Sequence, residues 1–184
     1  QLYETCHYTQ AELAKKFNQT FKKEIFTLPE ALLSECPSLI GIDGKNKMSK
    51  SLDNAIFLKD SEEELRKKVF RMYTDPKRIH ANIPGETENN PVFIYHRIFN
   101  SNLDEVKYLE ERYKRGDIGD REVKEKLFHA LNSFLKPIRG RREKLSSDLS
   151  YLEKLLKEGN KKAKEVAAQT LLEVKKAMKI YYGD

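Results

Sequence analysis

Residues 119–135 read GDREVKEKLFHALNSFL, and this stretch decides the fold class of the chain. Its apolar residues recur at intervals of three and four, which places them along one face of an α-helix. Asp120 is predicted to cap that helix at its N-terminus, and Pro137 is predicted to kink or end it. The apolar face consists of Val123, Leu127, Ala130, Leu131, Phe134 and Leu135.

Upstream of this helix, terminal signals predict three more. Ser61 and Glu64 have the spacing of a capping box at a helix N-terminus. Pro91 suits the first position of the next helix, because its missing N–H group has no partner there in any case. A further helix over residues 104–114 is predicted to end at Gly116, since glycine readily adopts the conformation of a C-cap.

Downstream, the apolar pattern continues and is expected to be buried. Gly159 is predicted to end one helix as its C-cap, and a last helix follows it. The short apolar run SLIGI at residues 38–42 predicts a buried strand. Together these elements predict a mainly α fold, in which a short α/β piece precedes an antiparallel helical bundle. The continuing stripe consists of Leu145, Leu149, Leu152 and Leu156.

The composition excludes several classes of protein. No apolar run approaches the roughly 20 residues needed to cross a bilayer, so no membrane association is expected. The two cysteines are too few for a disulfide framework, and neither they nor the four histidines have the spacing of metal ligands. We therefore expect no metal site, and reduced thiols in a cytoplasmic protein.

The net charge of +6 is concentrated in one region. Residues 136–164 contain ten Lys and Arg against four acidic residues. A basic stripe of this kind indicates a polyanionic partner, and guanidinium groups pair well with phosphates. Arg139, Arg141 and Arg142 are the candidates for such contacts. A solvated helix face is the alternative explanation of the same charges.

The segment that bears chemistry is KMSKS at residues 47–51, on a turn-prone loop after the predicted strand. Lys47 and Lys50 lie three residues apart, with Ser49 between them. Flexible ammonium groups and serine hydroxyls suit a negative charge that develops on phosphate during nucleotidyl or phosphoryl transfer. Residues of these types are also common in solvated surface loops, so composition alone leaves both interpretations open.

The chain begins at Gln1, and its first residues already have the pattern of a helix interior. Leu2, Cys6, Leu13 and Phe17 fall largely along one helical face. A natural domain seldom begins in mid-helix without a cap. We therefore expect a fragment whose N-terminal portion, holding the rest of the fold, is missing.

KMSKS at residues 47–51 matches, letter for letter, the motif of the class I aminoacyl-tRNA synthetases. The flanking segments IDGK (42–45) and NAI (54–56) resemble the loop and following strand of the tryptophanyl-tRNA synthetases. The segments NPVFIYH (90–96) and PIR (137–139) also resemble that family, and they favour it over the related tyrosyl-tRNA synthetases. The resemblance covers most of the chain.

This resemblance implies that the complete enzyme joins ATP and tryptophan into tryptophanyl-adenylate and pyrophosphate, and then transfers the tryptophanyl group to tRNA(Trp). Lys47 and Lys50 would hold the ATP phosphates and stabilise charge on the departing pyrophosphate. Mg²⁺ would accompany the ATP, and no tightly bound cofactor is implied. The implied ATP-binding residues are Lys47, Met48, Ser49, Lys50 and Ser51, with Leu39 and Ile40 at the adenine pocket.

The resemblance also implies a domain organisation. Residues 1–59 would be the C-terminal piece of a Rossmann-type catalytic domain, and residues 60–184 a helical anticodon-binding domain whose Arg139, Arg141 and Arg142 contact tRNA. The family's HIGH-type motif and most of its tryptophan pocket do not occur in this sequence, so the fragment alone is predicted to be inactive. The complete enzyme is expected to be a homodimer, whereas the oligomeric state of the fragment stays open.

Two other interpretations differ in kind. In one, the chain is an isolated tRNA-binding helical module without catalysis, which the basic segment would suit. In the other, it is a structural helical bundle in which KMSKS is a coincidence. The additional matching segments disfavour the second of these.

Overall fold

The computed structural model describes residues 2–33, 36 and 38–183, and side chains from residue 9 onward within those ranges. Across them the chain forms six α-helices and one isolated antiparallel bridge, between Ile40 and Lys47. The predicted mainly α fold is therefore confirmed. The helices are α1 (Leu2–Phe21), α2 (Glu62–Arg71), α3 (Pro91–Phe99), α4 (Leu103–Arg115), α5 (Asp120–Ser146) and α6 (Leu149–Ala177).

The chain divides into two compact units. One comprises Gln1–Ser34 and Asp148–Asp184, with helices α1 and α6, and the other comprises Glu35–Ser147, with α2 to α5. The second unit therefore holds both KMSKS and the four helices that follow it. The predicted domain boundary after residue 59 concerns the complete enzyme and stays a prediction.

Helix α5 forms the centre of the second unit. Its apolar face packs with α2 and α3 in one hydrophobic cluster, as the spacing of three and four predicted. Burying a large aliphatic or aromatic side chain contributes about 1.5–3 kcal/mol relative to leaving it exposed. Two positions differ from the prediction, since Phe128 is buried and Phe134 is 45% exposed. The cluster includes Leu65, Val69, Val92, Phe93, Tyr95, Val123, Leu127, Leu131 and Leu135.

The predicted helix ends in the second unit are mostly confirmed. The Glu64 amide donates to Ser61 Oγ at 3.2 Å, and the Ser61 amide donates to Glu64 Oε2 at 2.8 Å, which completes the capping box of α2. Asn90 caps α3, with Pro91 as its first residue. Gly116 ends α4 in the left-handed conformation (φ 77°), and a Cβ there would lie 2.5 Å from a backbone oxygen. Only glycine fits that position.

The strand predicted over residues 38–42 does not form in the described part of the chain. Its backbone pairs locally instead, because the Gly41 amide donates to the Asn46 carbonyl and the Met48 amide donates to the Leu39 carbonyl. These bonds close a tight loop around Ile40 and Lys47, and only one bridge of ladder type remains. A short apolar run is ambiguous by periodicity alone, and here its backbone partners lie in the turn that follows it.

Two predicted helix ends, at Asp120 and Gly159, are wrong, and of the two outcomes predicted for Pro137 the helix end does not occur. Gly119, and not Asp120, occupies the N-cap of α5, while Pro137 lies inside α5 and does not end it. Helix α6 continues through Gly159, where an added Cβ would meet no heavy atom within 4 Å. An exposed glycine costs a helix only about 1 kcal/mol, which a helix of 29 residues tolerates. The break falls instead before Asp148, which caps α6 through the Tyr151 amide at 2.9 Å.

The apolar stripe of α6 is not buried in this chain, contrary to the prediction. Leu149 is 70% exposed, Leu156 is 65% exposed and Val166 is 68% exposed. Leu145, near the end of α5, is also exposed, at 46%. None of the described helices is long and apolar enough to cross a membrane.

Arg78 organises the long connection between α2 and α3. Its side chain is fully buried and donates to the backbone carbonyls of Ala81, Ile83 and Ile118, at 2.7–3.0 Å. The same guanidinium pairs with Asp120 at 3.1 Å, and its carbon lies 3.7 Å from the centroid of the Tyr113 ring. A guanidinium with five donors in a planar fork is suited to this many acceptors. One side chain therefore holds together a connection that contains no helix.

Lys124 donates hydrogen bonds to the carbonyl groups at the C-terminal end of α2. Its ammonium group is buried and donates to the carbonyls of Phe70 and Met72, at 3.2 and 2.7 Å, and to Thr74 Oγ1 at 2.7 Å. A cation at a helix C-terminus interacts favourably with the helix dipole and with carbonyls that have no partner inside the helix. Burial lowers the pKa of Lys124 below its ordinary value. This contact links α2 to α5.

His96 lies in the core between α3 and α5. It is fully buried; its Nε2 donates to the Val123 carbonyl at 3.1 Å, and its Nδ1 accepts from Asn100 at 3.3 Å. A carbonyl oxygen only accepts, so the ring is the neutral tautomer protonated at Nε2. Burial lowers the pKa of His96 below its ordinary value of 6.5, and the Val123 bond and Glu105 oppose that effect only in part. The side chain of His96 therefore has a structural role in this core.

The lowered pKa of His96 predicts a loss of stability in mild acid. The unfolded chain takes up a proton near pH 6.5 and the folded chain does so only at lower pH, so stability is complete above pH 6.5 and falls as the pH drops through it. We expect the urea midpoint to decrease between pH 7 and 5.5, and to do so less in His96→Gln. His80→Gln, which alters an exposed histidine, should keep the wild-type slope. Equal slopes in all three proteins would contradict the prediction.

Candidate functional site

The KMSKS loop, residues 47–51, is attached to the core of the second unit through Met48. The Met48 amide donates to the Leu39 carbonyl at 2.9 Å, and the half-buried Met48 side chain packs against the hydrophobic cluster. Lys47 forms the isolated bridge with Ile40. The loop therefore has a fixed base, from which its polar side chains project.

Asn54 lies beneath the loop and is only 2% exposed. Its Oδ1 accepts from the Ser49 amide at 2.7 Å. Its Nδ2 donates to Asp43 Oδ2 at 3.1 Å and to the Lys47 carbonyl at 3.2 Å. The Asn54 carbonyl accepts from the Ile42 amide at 2.9 Å, so the side chain and the backbone of one residue both tie the loop to residues 42–49.

Asp43 closes the turn that precedes the loop. Its Oδ1 accepts from the amides of Lys45 and Asn46, and its Oδ2 accepts from the side chains of Asn46 and Asn54. The hydrogen bond from the Asn46 side chain is the largest of the effects that lower the pKa of Asp43, to about 2. The carboxylate is therefore ionised at neutral pH and acts only as an acceptor.

Two glycines permit this close packing. A Cβ at Gly41 would lie 2.2 Å from Asn54 Nδ2, so the backbone rests directly on the buried amide. Gly44 has φ 68°, and a Cβ there would lie 2.9 Å from the Tyr73 side chain. Tyr73 itself donates its amide to the Ile42 carbonyl at 2.8 Å, which joins the turn to the end of α2.

The end of the loop is held by Arg71, at the C-terminus of α2. Its Nη2 donates to the Asp53 carbonyl at 2.7 Å and to Asp53 Oδ2 at 3.0 Å. Asp53 has φ 48°, in the left-handed region that non-glycine residues seldom adopt. The Arg71–Asp53 pair is largely exposed, and exposed ion pairs contribute little to the free energy of unfolding. Its main effect is to fix the path of the backbone where the chain leaves the loop.

The two lysines of the loop are exposed and free of ion pairs within the described part of the chain. Neither Lys47 nor Lys50 takes part in a side-chain hydrogen bond or salt bridge among the described residues. The hydroxyls of Ser49 and Ser51 lie 3.0 Å apart, on the same loop. Two unpaired ammonium groups beside two hydroxyls, on an anchored backbone, form a site that can bind a polyphosphate.

The sequence profile of the class I tRNA synthetases (W and Y) matches residues 8–136. The chain belongs to this family. It is 54% identical over 167 residues to a tryptophan–tRNA ligase of Treponema pallidum, and 53% identical over 165 residues to one of Borreliella burgdorferi. The alignments cover 91% and 89% of this chain but 49% and 47% of the relatives. The chain thus spans about half the length of the curated relatives it matches.

The fold agrees with the sequence relationship. A crystal structure of tryptophanyl-tRNA synthetase from Campylobacter jejuni, complexed with ADP and tryptophan, matches with a TM-score of 0.72 at 31% identity. That match covers 91% of this chain and 51% of the other. The resemblance to the tryptophanyl-tRNA synthetases is therefore confirmed.

In this class I synthetase chain, Leu39 and Ile40 serve the loop through their backbone. The Leu39 carbonyl accepts from Met48, and the Ile40 carbonyl accepts from the Tyr95 hydroxyl at 2.7 Å. Both side chains are half-buried against the hydrophobic cluster. Their place at an adenine pocket, like the ATP-binding role of residues 47–51, stays a prediction.

The three arginines predicted to contact tRNA lie in different surroundings in the synthetase chain. Arg139 is half-buried and donates to Asn132 and to the Asp60 carbonyl, so it links α5 to the start of α2. Arg141 and Arg142 are exposed, and they lie two and three residues nearer the end of α5. Their tRNA contacts stay a prediction.

No group of three or more His, Cys, Asp or Glu side chains is placed to hold a metal ion among the residues that the structure describes. Asp43, the carboxylate of the turn that precedes KMSKS, accepts hydrogen bonds with both of its oxygens. Mg²⁺ is commonly bound through substrate phosphates and water, so a dedicated set of protein ligands is not required for it.

Sequence reasoning missed the residues that shape the loop. Asp43, Asn54 and Tyr95 lie within segments that resemble the family, but the sequence gives none of them a role at the loop, and Arg71 is not singled out by any pattern. A signal was available for Asp43, because Asp before Gly is a common turn sequence. No signal was available for Tyr95, which reaches the Ile40 carbonyl across 55 residues of sequence.

Proposed function

We propose that the complete protein to which this chain belongs attaches tryptophan to tRNA(Trp), with ATP as the second substrate and tryptophanyl-adenylate as the intermediate. This chain supplies the KMSKS loop and the helices that face tRNA. One observation carries the proposal: the ammonium groups of Lys47 and Lys50, which have no ion-pair partner among the described residues, project from a loop whose backbone is held by Asn54. The 54% identity to a tryptophan–tRNA ligase supports the choice of amino acid.

The chemistry of adenylate formation needs such a site. A carboxylate oxygen of tryptophan attacks the α-phosphorus of ATP, the bond to the bridging oxygen breaks, and pyrophosphate leaves with the electron pair. Negative charge therefore grows on the leaving group, and cations in place before the reaction stabilise it without reorganisation. In this proposal Lys50 contacts the leaving phosphates directly, Lys47 assists, and Mg²⁺ arrives as part of the ATP substrate. Met48 keeps the loop seated.

The remaining ATP-binding residues, including a HIGH-type motif, and most of the tryptophan pocket are proposed to lie outside this chain. The 184-residue chain alone is therefore expected to be inactive. The complete enzyme is proposed to be a cytoplasmic homodimer. Residues 60–184 are proposed to bind the anticodon region of tRNA, with Arg141 and Arg142 exposed for contacts with phosphate oxygens.

The second candidate function is that of a tRNA-binding module that does no chemistry. The concentration of positive charge in residues 136–164 favours it. The nearest enzymatic alternative is a tyrosyl-tRNA synthetase, since the matching family profile includes both amino acids.

Amino-acid-dependent ATP–pyrophosphate exchange separates these functions. We expect exchange with tryptophan, and not with tyrosine, in the complete protein, and none in the 184-residue chain. Exchange with tyrosine alone would overturn the proposed substrate. No exchange with either amino acid, together with tRNA binding that weakens steeply as salt is added, would favour the binding module.

A further inference from the structure

We propose that Asn54 positions the KMSKS loop for polyphosphate binding, and that it acts through the backbone of the loop without touching the substrate. The inference rests on the proposed use of ATP and extends it to a residue outside the motif. Asn54 lies three residues beyond Ser51, and nothing in its residue type marks it as part of a nucleotide site.

The orientation of the Asn54 amide follows from its neighbours. The ionised Asp43 carboxylate and the Lys47 carbonyl are both acceptors, so the group that faces them at 3.1 and 3.2 Å is the NH₂. The amide oxygen is left to accept from the Ser49 amide at 2.7 Å. Both ends of the side chain are thus committed to the protein.

This arrangement makes Asn54 a positioning residue. The Asn54 amide is only 2% exposed and already makes hydrogen bonds to three partners inside the protein. It therefore has neither the space nor an unused donor with which to bind a phosphate. Its bonds instead hold the Lys47 carbonyl and the Ser49 amide, which lie on either side of Met48. Because the backbone at Lys47 and Ser49 is fixed, the side chains of Lys47 and Lys50 start from fixed positions. The two ammonium groups therefore need little rearrangement when negative charge develops on the phosphates.

The remainder of the turn is built around this side chain. Position 41 carries no side chain, because a Cβ there would lie 2.2 Å from Asn54 Nδ2. Asp43 is held in turn by the amides of Lys45 and Asn46. An aspartate at position 54 would keep the size and the bond to Ser49, but it would place a carboxylate oxygen against the Asp43 carboxylate and the Lys47 carbonyl.

The test uses Asn54→Ala and Asn54→Asp in the complete protein. We expect kcat for tryptophan-dependent ATP–pyrophosphate exchange to fall by about 10- to 100-fold, because small displacements of binding groups are costly to catalysis. KM for tryptophan should change by less than about threefold, since the loop does not hold the amino acid. Deuterium uptake by peptides that cover residues 45–55 should be faster in both variants. Inorganic pyrophosphate should protect that segment in the wild type only.

Asn100→Ala is the matched control. Asn100 is also buried, at 7% exposure, and it bonds with His96, Glu105 and the Asn102 amide, away from the loop. Its loss should lower the melting temperature as much as the loss of Asn54, yet leave kcat and loop protection within about twofold of the wild type. An equal fall of kcat in Asn100→Ala, or wild-type kcat in both Asn54 variants, would overturn the inference. Asn54→Asp keeps the comparison valid if Asn54→Ala does not fold.

Failure of the proposed function gives a different result. If the wild type performs no tryptophan-dependent exchange, the proposed reaction is wrong, and the pyrophosphate protection decides the inference by itself. Protection of residues 45–55 that is present in the wild type and lost in Asn54→Asp sustains the positioning role. Protection that is equal in both proteins, or missing from the wild type, overturns it.

Discussion

Replacing Arg78 by alanine is expected to lower the free energy of unfolding of the second unit by about 3–5 kcal/mol, the usual cost of removing one partner of a buried ion pair. The guanidinium is completely buried, and Asp120 is only 22% exposed. Without Arg78, Asp120 Oδ2 and three backbone carbonyls lose a donor together, and the Asp120 carboxylate keeps only the Tyr113 hydroxyl. Removing one member of a buried ion pair destabilises a protein more than replacing both members by apolar residues does, because the remaining charge stays buried without its partner.

Two variants sharpen this prediction for Arg78. Arg78→Lys keeps the charge but not the planar fork that serves four acceptors, so we expect an intermediate loss. Lys77→Ala removes the neighbouring cation, which is exposed, and should change stability by less than about 0.5 kcal/mol. Urea unfolding of the chain followed by circular dichroism measures all three. If the free energy of unfolding of Arg78→Ala falls by less than about 1 kcal/mol, the prediction is contradicted, because water then replaces the hydrogen bonds of the guanidinium.

Replacing Lys50 by alanine is expected to lower kcat for adenylate formation in the complete enzyme by about 100- to 1,000-fold, similar to the removal of one donor from a preorganised anion site. Lys50 is exposed and pairs with no acidic side chain among the described residues, so the substitution leaves no buried group without a partner. We therefore expect little change in stability. The loss falls on the step in which pyrophosphate acquires charge, and tryptophan binding should be affected much less.

Presteady-state adenylate formation and equilibrium binding of tryptophan separate the two effects of Lys50→Ala. Lys59→Ala, which removes an exposed lysine beyond the loop, is the matched control and should retain wild-type rates. Equal losses of rate and of tryptophan affinity would contradict the role assigned to Lys50. A rate unchanged from the wild type would do the same.

The parts of the structure that were predictable depend on residues close together in sequence. The Ser61–Glu64 capping box spans one helical turn, and the left-handed Gly116 depends on the backbone at a single position. The apolar face of α5 repeats every three or four residues, so a window of the sequence contains the whole signal. KMSKS is likewise contiguous, so the sequence alone is enough to identify its resemblance to the class I motif.

Two of the failures arise where a local signal competes with a partner distant in sequence. Asp120 has the residue type of an N-cap, but it bonds with Arg78, 42 residues away, and with the Tyr113 hydroxyl, and Gly119 takes the cap. The apolar run at residues 38–42 has the composition of a strand, yet its partners are the following turn and Tyr95. Gly159 suits a helix end, but nothing stops the helix there.

The sequence by itself determined that this chain is mainly helical, where most helices of the second unit begin and end, and that KMSKS belongs to a class I synthetase. These properties follow from spacing and residue type within short windows. Only the tertiary structure decided which side chains hold the loop, because Asp43 and Asn54 are 11 residues apart and meet only when the turn closes. It also decided that Arg139 bonds within the protein, while Lys47 and Lys50 are exposed and have no ion-pair partner in the part of the chain that the structure describes. Partners distant in sequence come into contact through packing, and no local pattern encodes that packing.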